Sequence, residues 1–198
     1  ALCSLLFIAV APHSQAGPWI NPGDETLRHH IQVLADSGII TVPITTWPLM
    51  WSGIKHDIEQ SDASRLNEAQ ALSLRYVRFA LRRDTDNSTR LTWNGGLRHN
   101  PHLFTDFADS QRDQTETSLS ADWMGTNFTG RLKMSYTDDA NHNSDIKLDG
   151  SYLGFVWGNW ALTAGEMERW WGPGWQNSLI LGTNARPAPG LSLQRNQS

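Results

Sequence analysis

Three tryptophans, Trp170, Trp171 and Trp175, fall within six residues, with Gly172, Pro173 and Gly174 between them. Arg169, Gln176, Asn177, Asn184 and Arg186 lie close by in the chain. A flat indole can stack on the apolar face of a sugar ring while nearby amides take its hydroxyls and guanidinium groups pair with acidic substituents. Arg169, Trp170, Trp171, Trp175, Asn184 and Arg186 are therefore the candidate carbohydrate-binding residues. The same rings would serve equally as an interfacial girdle or as internal packing, and residue type alone leaves these uses open. The glycines and the proline rule out a plain strand or helix here, so a rigid aromatic turn is expected.

Other constellations carry less. Asp139, Asn141, Asn143 and Asp145 begin like a calcium loop, but Ser144 stands where the turn glycine belongs and Gly150 where the bidentate Glu belongs. An ordinary polar loop is expected. His99, His102, Asp106 and Asp109 are ligand types for zinc with nothing to fix their geometry. Glu166, Glu168, Asp138 and Asp139 supply carboxylates of the kind a glycosidase uses, but sequence gives no separation between them. There is no G-x-S-x-G, Gly-rich phosphate loop or H-E-x-x-H. No catalytic residue, metal site or cofactor is assigned.

The net charge of -4 and a pI near 5.9 argue against nucleic acid as a partner, since phosphate-binding surfaces carry a basic excess. Ala1 to Ala16 reads as a signal peptide: an apolar stretch from Leu5 to Val10, then Ser14-Gln15-Ala16 as a small-residue cleavage pattern. The charged start of such a signal is missing, so a chain truncated at its N-terminus and destined for export is expected. The single cysteine, Cys3, lies inside it and leaves no disulfide evidence for the compartment.

Two regions follow. Residues 17–84 read as a small helical bundle. Asp24 caps a helix carrying Leu27, Ile31, Leu34 and Ala35, stopped by Gly38. After a β-like stretch from Ile39 to Thr46, Pro48 to Ile58 is expected as a short helix with Pro48 in its first turn. Ser61 or Asp62 would cap a longer one through Leu66, Ala69, Leu74, Val77, Ala80 and Leu81. Arg75, Arg78, Arg82 and Arg83 read as a solvated helix face near its end.

Residues 85–198 change to a period of two. Thr117, Leu119, Ala121 and Trp123 alternate with Glu116, Ser118, Ser120 and Asp122, and Phe128, Leu132, Met134 and Tyr136 with Thr129, Arg131, Lys133 and Ser135. Ile146, Leu148 and Tyr152 against Lys147, Asp149 and Ser151, then Trp160, Leu162 and Ala164 against Ala161, Thr163 and Gly165, continue the pattern. A soluble sandwich would alternate too, but long and short connections take turns here, as in outer-membrane barrels. The expected fold is mainly β: a transmembrane antiparallel β-barrel, incomplete here, preceded by the helical bundle. About five strands are countable, fewer than the roughly eight of the smallest closed barrels, so a longer protein is expected. Leu153, Phe155 and Trp157 interrupt the polar face. They are expected to point inward onto the helical bundle, with a face-swapping bulge as the alternative.

Several separated motifs also resemble the capsule assembly Wzi family. These are Leu34-Ala-Asp-Ser-Gly38, Thr45-Thr-Trp-Pro-Leu49, Asp149-Gly-Ser-Tyr-Leu153 with Gly158-Asn-Trp-Ala-Leu162, and Arg169-Trp-Trp-Gly-Pro-Gly-Trp175 followed by Ser178-Leu-Ile-Leu181 and Asn184-Ala-Arg-Pro187. The resemblance implies a barrel of about eighteen strands with a periplasmic helical plug, within the known range for such barrels. It implies a Gram-negative outer-membrane lectin, without enzymatic activity, that helps hold capsular polysaccharide at the cell surface. The partners so implied are polysaccharide and outer-membrane lipid, and a monomer is expected. A porin-like channel for small solutes or oligosaccharides is the competing expectation.

Overall fold

The computed structural model describes residues 18–62, 66–86, 89–97, 106–108, 115–138 and 144–195. The signal stretch, His99, His102, Asp109 and most of the 139–145 loop lie outside them. Three helices form the N-terminal part: α1 (Glu25–Asp36), α2 (Trp51–Gln60) and α3 (Glu68–Thr85). Asp24 starts α1 as expected, its Oδ1 accepting from the Leu27 amide at 2.8 Å. Gly38, at a φ of +74°, lets the chain turn away beyond the helix's last residues.

The other two helix starts differ from the sequence reading. Pro48 follows a cis peptide bond and sits between two short strands, β2 (Thr46–Trp47) and β3 (Leu49–Met50), so α2 begins only at Trp51. β3 pairs with β1 (Trp19–Ile20). Asn67, not Ser61 or Asp62, caps α3: its side chain accepts from the Gln70 amide at 2.9 Å, and the Gln70 side chain accepts from the Asn67 amide at 3.0 Å. That reciprocal pair satisfies two helix-end donors at once. Nor are all four arginines of α3 simply solvated. Arg78 donates to the Ile58 carbonyl near the end of α2 at 3.0 Å, and Arg83 pairs with buried Asp84 at 2.7 Å.

The helices share one apolar core. Leu27, Ile31 and Leu34 of α1 meet Ile54 and Ile58 of α2 and Leu74, Val77 and Leu81 of α3. Three rings from elsewhere in the chain complete it: Trp47, Phe107 and Trp170.

The remaining strands build an antiparallel sheet that does not close among the described residues. They are β4 (Thr89–Leu97), β5 (Thr115–Met124), β6 (Phe128–Asp138), β7 (Ser144–Lys147), β8 (Tyr152–Trp157), β9 (Trp160–Gly165) and, beyond β10 (Trp170–Trp171), β11 (Gly190–Arg195). β4, β5, β6, β8, β9 and β11 lie side by side in that order, β7 extends β8 along β6, and β10 pairs instead with β2. β11 lies beyond the aromatic turn expected around Trp170 to Trp175. Its pairing with β9 from Gly190 to Arg195 adds a strand to the five expected.

Burial in this sheet is inverted. Leu91 is 73% exposed and Leu193 62%, whereas Asp122 is fully buried and Thr137 only 3% exposed. Leu119, Leu132, Met134, Ile146, Leu153 and Leu162 share the outward side, and Ser118, Ser120, Thr129, Arg131, Ser135 and Thr163 the inward one. A water-soluble sandwich would bury the first set. Among the described residues it is the apolar side of this sheet that is left uncovered.

The expectation for Leu153, Phe155 and Trp157 is overturned. Ser135 pairs with Lys147 while Arg131 pairs with Tyr152, so three residues of β6 face four of the partner strand. The extra residue is a bulge, and a slip of one residue exchanges the two faces. Gly150 takes a φ of +88° there, and Ser151 bridges the gap, its hydroxyl accepting from the Lys133 amide at 2.9 Å. Beyond the bulge, Leu153 and Trp157 are exposed on the outward side, Phe155 stacks on outward Phe128 with ring centroids 4.7 Å apart, and Tyr152 turns inward.

Candidate functional site

Residues 166–189 leave β9 and turn back against the helical part. β10 lays Trp170 beside Trp47 and Trp171 beside Thr46, in antiparallel register. Trp170 is fully buried, its ring edge-on to Phe107 at 5.7 Å and its Nε1 donating to the Gly174 carbonyl at 3.0 Å. It presents no open face to a ligand, and its role here is packing. Trp171 and Trp175 are half-buried, and Gln176, Asn177, Asn184 and Arg186 are exposed, with Arg169 partly so.

The turn is heavily tied by its own backbone. Gly172 N donates to the Thr45 carbonyl, and Trp171 N to the Leu181 carbonyl, both at 2.8 Å. Gly172 has a φ of +148°, and a Cβ there would approach Leu179 N to 2.9 Å, so this position requires glycine. Arg186, expected to face a ligand, is engaged within the chain. Its Nε and Nη2 grip the buried Asp149 carboxylate at 3.0 and 2.9 Å, fixing the far end of the segment to the bulge between β7 and β8.

Sequence reasoning missed Arg28. It is only 3% exposed, on the packed side of α1, and Nη2 donates to the Pro173 and Gly174 carbonyls at 2.9 and 2.8 Å. Its guanidinium lies 4.2 Å from the Phe107 ring centroid and 4.6 Å from that of Trp175. Burial lowers its pKa to about 10, which still leaves it a cation at neutral pH. The available signal was one arginine three residues before Ile31, on the apolar side of α1.

The inner side of the sheet carries a second junction. Trp19 of β1 meets Tyr152 edge-on at 5.6 Å, and a Cβ at Gly154 would fall 2.5 Å from the Trp19 ring. Nearby on the same side, Arg131 donates to buried Asp122. Among the described residues, no group of three or more His, Cys, Asp or Glu is placed to hold a metal ion.

A mainly β chain whose sheet turns its apolar side outward and its polar side toward a helical unit has the burial pattern of a membrane barrel wall. The model of the capsule assembly protein Wzi family matches residues 84–198, more than half of the chain, and the chain belongs to that family. A 55.8 kDa protein encoded in the cps region of Klebsiella pneumoniae, itself uncharacterized, is 27% identical over 184 residues, covering 91% of this chain and 35% of that protein. The solved structure of Wzi from Escherichia coli, an outer-membrane protein described as a carbohydrate-binding β-barrel involved in group 1 capsule assembly, is similar in fold at a TM-score of 0.72 and 22% identity. That match covers 91% of this chain and 40% of the solved one. The chain thus spans well under half the length of either relative.

Proposed function

We propose that this chain forms the plug and first wall strands of a Gram-negative outer-membrane β-barrel that binds surface polysaccharide without catalysis and helps organise capsule at the cell. The inverted sheet is the observation that carries the reading. Its outward side is apolar from Trp157 and Trp160 at one end to Tyr136 and Ile146 at the other. These positions lie roughly ten residue steps apart, which at the strand rise and tilt of a barrel makes an apolar band about 25 Å tall. Trp123, Phe128, Phe155, Trp157 and Trp160 gather beside the tight turns at 125–127 and 158–159, as an interfacial girdle would.

The carbohydrate-binding character of the Escherichia coli relative supports polysaccharide as the partner. The half-buried rings of Trp171 and Trp175, followed in the chain by exposed Gln176 and Asn177, offer stacking surface with directional polar groups next in sequence, and exposed Asn184 lies further along the same segment. Affinity would accumulate over many weak contacts along a repeating polymer. The helical part lies on the polar side of the sheet, which favours a plugged barrel over an open channel. A monomer in lipid accommodates all of this.

Pull-down of the full-length protein with purified surface polysaccharides tests the proposal. Retention is expected, and it is expected to fall when Trp171 and Trp175 are both changed to Ala. An open, ion-selective conductance in planar bilayers with no retention of glycan would establish the channel reading instead.

A further inference from the structure

Arg28 and the 173–175 turn are 145 or more residues apart in the chain, yet the guanidinium is buried in that turn. We infer that Arg28 is a clasp that locks the Trp/Gly/Pro segment onto α1 and so positions Trp171 and Trp175 for whatever the segment binds. The inference rests on the polysaccharide-binding reading only for its last step.

Three features tie Arg28 to this segment. One nitrogen serves two consecutive carbonyls, Pro173 and Gly174, so the fork fixes the path of the turn rather than a single atom. The flat cation packs against both the Phe107 and the Trp175 ring, which are inclined at 58° to each other, and Phe107 N donates to the Trp175 carbonyl at 3.0 Å. The same Gly174 carbonyl also receives Trp170 Nε1, which joins the clasp directly to the core of the helical part. A cation buried to this degree is retained only where its contacts offset the desolvation it suffers. Its side-chain hydrogen bonds here run to one segment, its ring contacts to Trp175 of that segment and to Phe107, and Glu25 adds a favourable charge.

Loss of the clasp opens the segment without dissolving the sheet, because the strand pairing of β4 to β9 involves none of these atoms. Lysine replaces it only in part: an ammonium on a flexible stem can reach a carbonyl but has no planar face for the two rings.

The test uses full-length protein in detergent, comparing wild type with Arg28→Ala and Arg28→Lys. Heat-modifiable migration reports the barrel, chymotrypsin cleavage within 170–181 reports the segment, and polysaccharide retention reports binding. Cleavage about tenfold faster in Arg28→Ala, with migration unchanged, is the expected result, since removing a charged hydrogen-bond donor shifts local opening by at least that factor. Arg28→Lys is expected in between. If Arg28→Ala fails to assemble, Arg28→Lys alone decides, faster cleavage supporting the clasp and wild-type protection overturning it. Wild-type protection in an assembled Arg28→Ala variant likewise overturns it. Faster cleavage with unchanged retention supports the clasp and removes the glycan role of the segment.

Discussion

The helical part and the sheet use the same apolar residue types in opposite ways. Leu27, Ile31, Leu34, Ile54 and Val77 are buried among themselves, and what the helices show outward is mostly charged or polar. In the sheet, Leu91, Leu132, Leu153, Leu162 and Leu193 face outward while Ser118, Ser120, Asp122, Thr129 and Thr137 are covered. The same side-chain types are thus sorted in opposite senses in the two regions. The difference teaches that the two regions present opposite surfaces: the helices bury their apolar side chains among themselves, and the sheet turns an apolar side outward and a polar side toward the helices, which in the proposed barrel would meet lipid and water respectively.

The sharpest way to break this comparison is to remove a core ring and charge a wall leucine in the same full-length protein. Trp47→Ala empties a fully packed site between Phe107, 4.9 Å away, and its β10 neighbour Trp170, and also removes the indole donor to the Ile44 carbonyl. The expected loss is roughly 3–5 kcal/mol in denaturant unfolding of the helical part, whatever the lipid or detergent. Leu132→Arg places a cation in the middle of the outward band, for which the expected loss is roughly 2–4 kcal/mol in bilayers, with Leu132→Ala costing much less. Unfolding from lipid vesicles reads both. If Leu132→Arg proves as harmless in vesicles as a solvated surface change, the wall reading fails.

Much of this contrast was legible in the sequence because it is local. Asp24 and Gly38 mark the ends of α1 by their own chemistry, and alternation in β5 and β6 needs only neighbours two residues apart. What escaped depends on distance or on a single-residue slip. Pro48 suits a helix start by its fixed φ, but pairing of Trp47 with Trp170 and of Leu49 with Ile20 draws its neighbours into strands. Leu153, Phe155 and Trp157 face outward, not inward as expected, because one extra residue near Gly150 exchanges the faces, which is the bulge that stood as the alternative. The Trp-rich segment was visible as a dense motif, but its division into buried Trp170 and half-open Trp171 and Trp175 is set by α1 and β2, more than a hundred residues away. Arg186 has the right type for a ligand contact, and only the fold shows Asp149 already holding it.

The comparison is sharpened most finely at the seam, where the helical part touches the inner side of the wall. Gly154 lies inward on β8, directly under Trp19, and a Cβ added there would come within 2.5 Å of the Trp19 ring and 2.7 Å of the Thr129 methyl. Trp19 is held from above by its pairing with Met50 and by the hydrogen bond from Trp51 N to the Pro18 carbonyl, so it cannot swing aside without moving the start of α2. Gly154→Ala is therefore expected to lift β1 from the wall at a cost of about 1–3 kcal/mol, the range of core overpacking. Pairing of β8 with β6 and β9 at this position is backbone to backbone and should persist. Trp fluorescence and protease access at residues 18–24 should change while heat-modifiable migration does not. The double variant Trp19→Ala with Gly154→Ala should recover part of the loss, because the methyl then enters the space the indole has left. If Gly154→Ala instead abolishes heat-modifiable migration and the double variant does not restore it, the helical part and the sheet are one cooperative unit rather than two regions meeting at a seam.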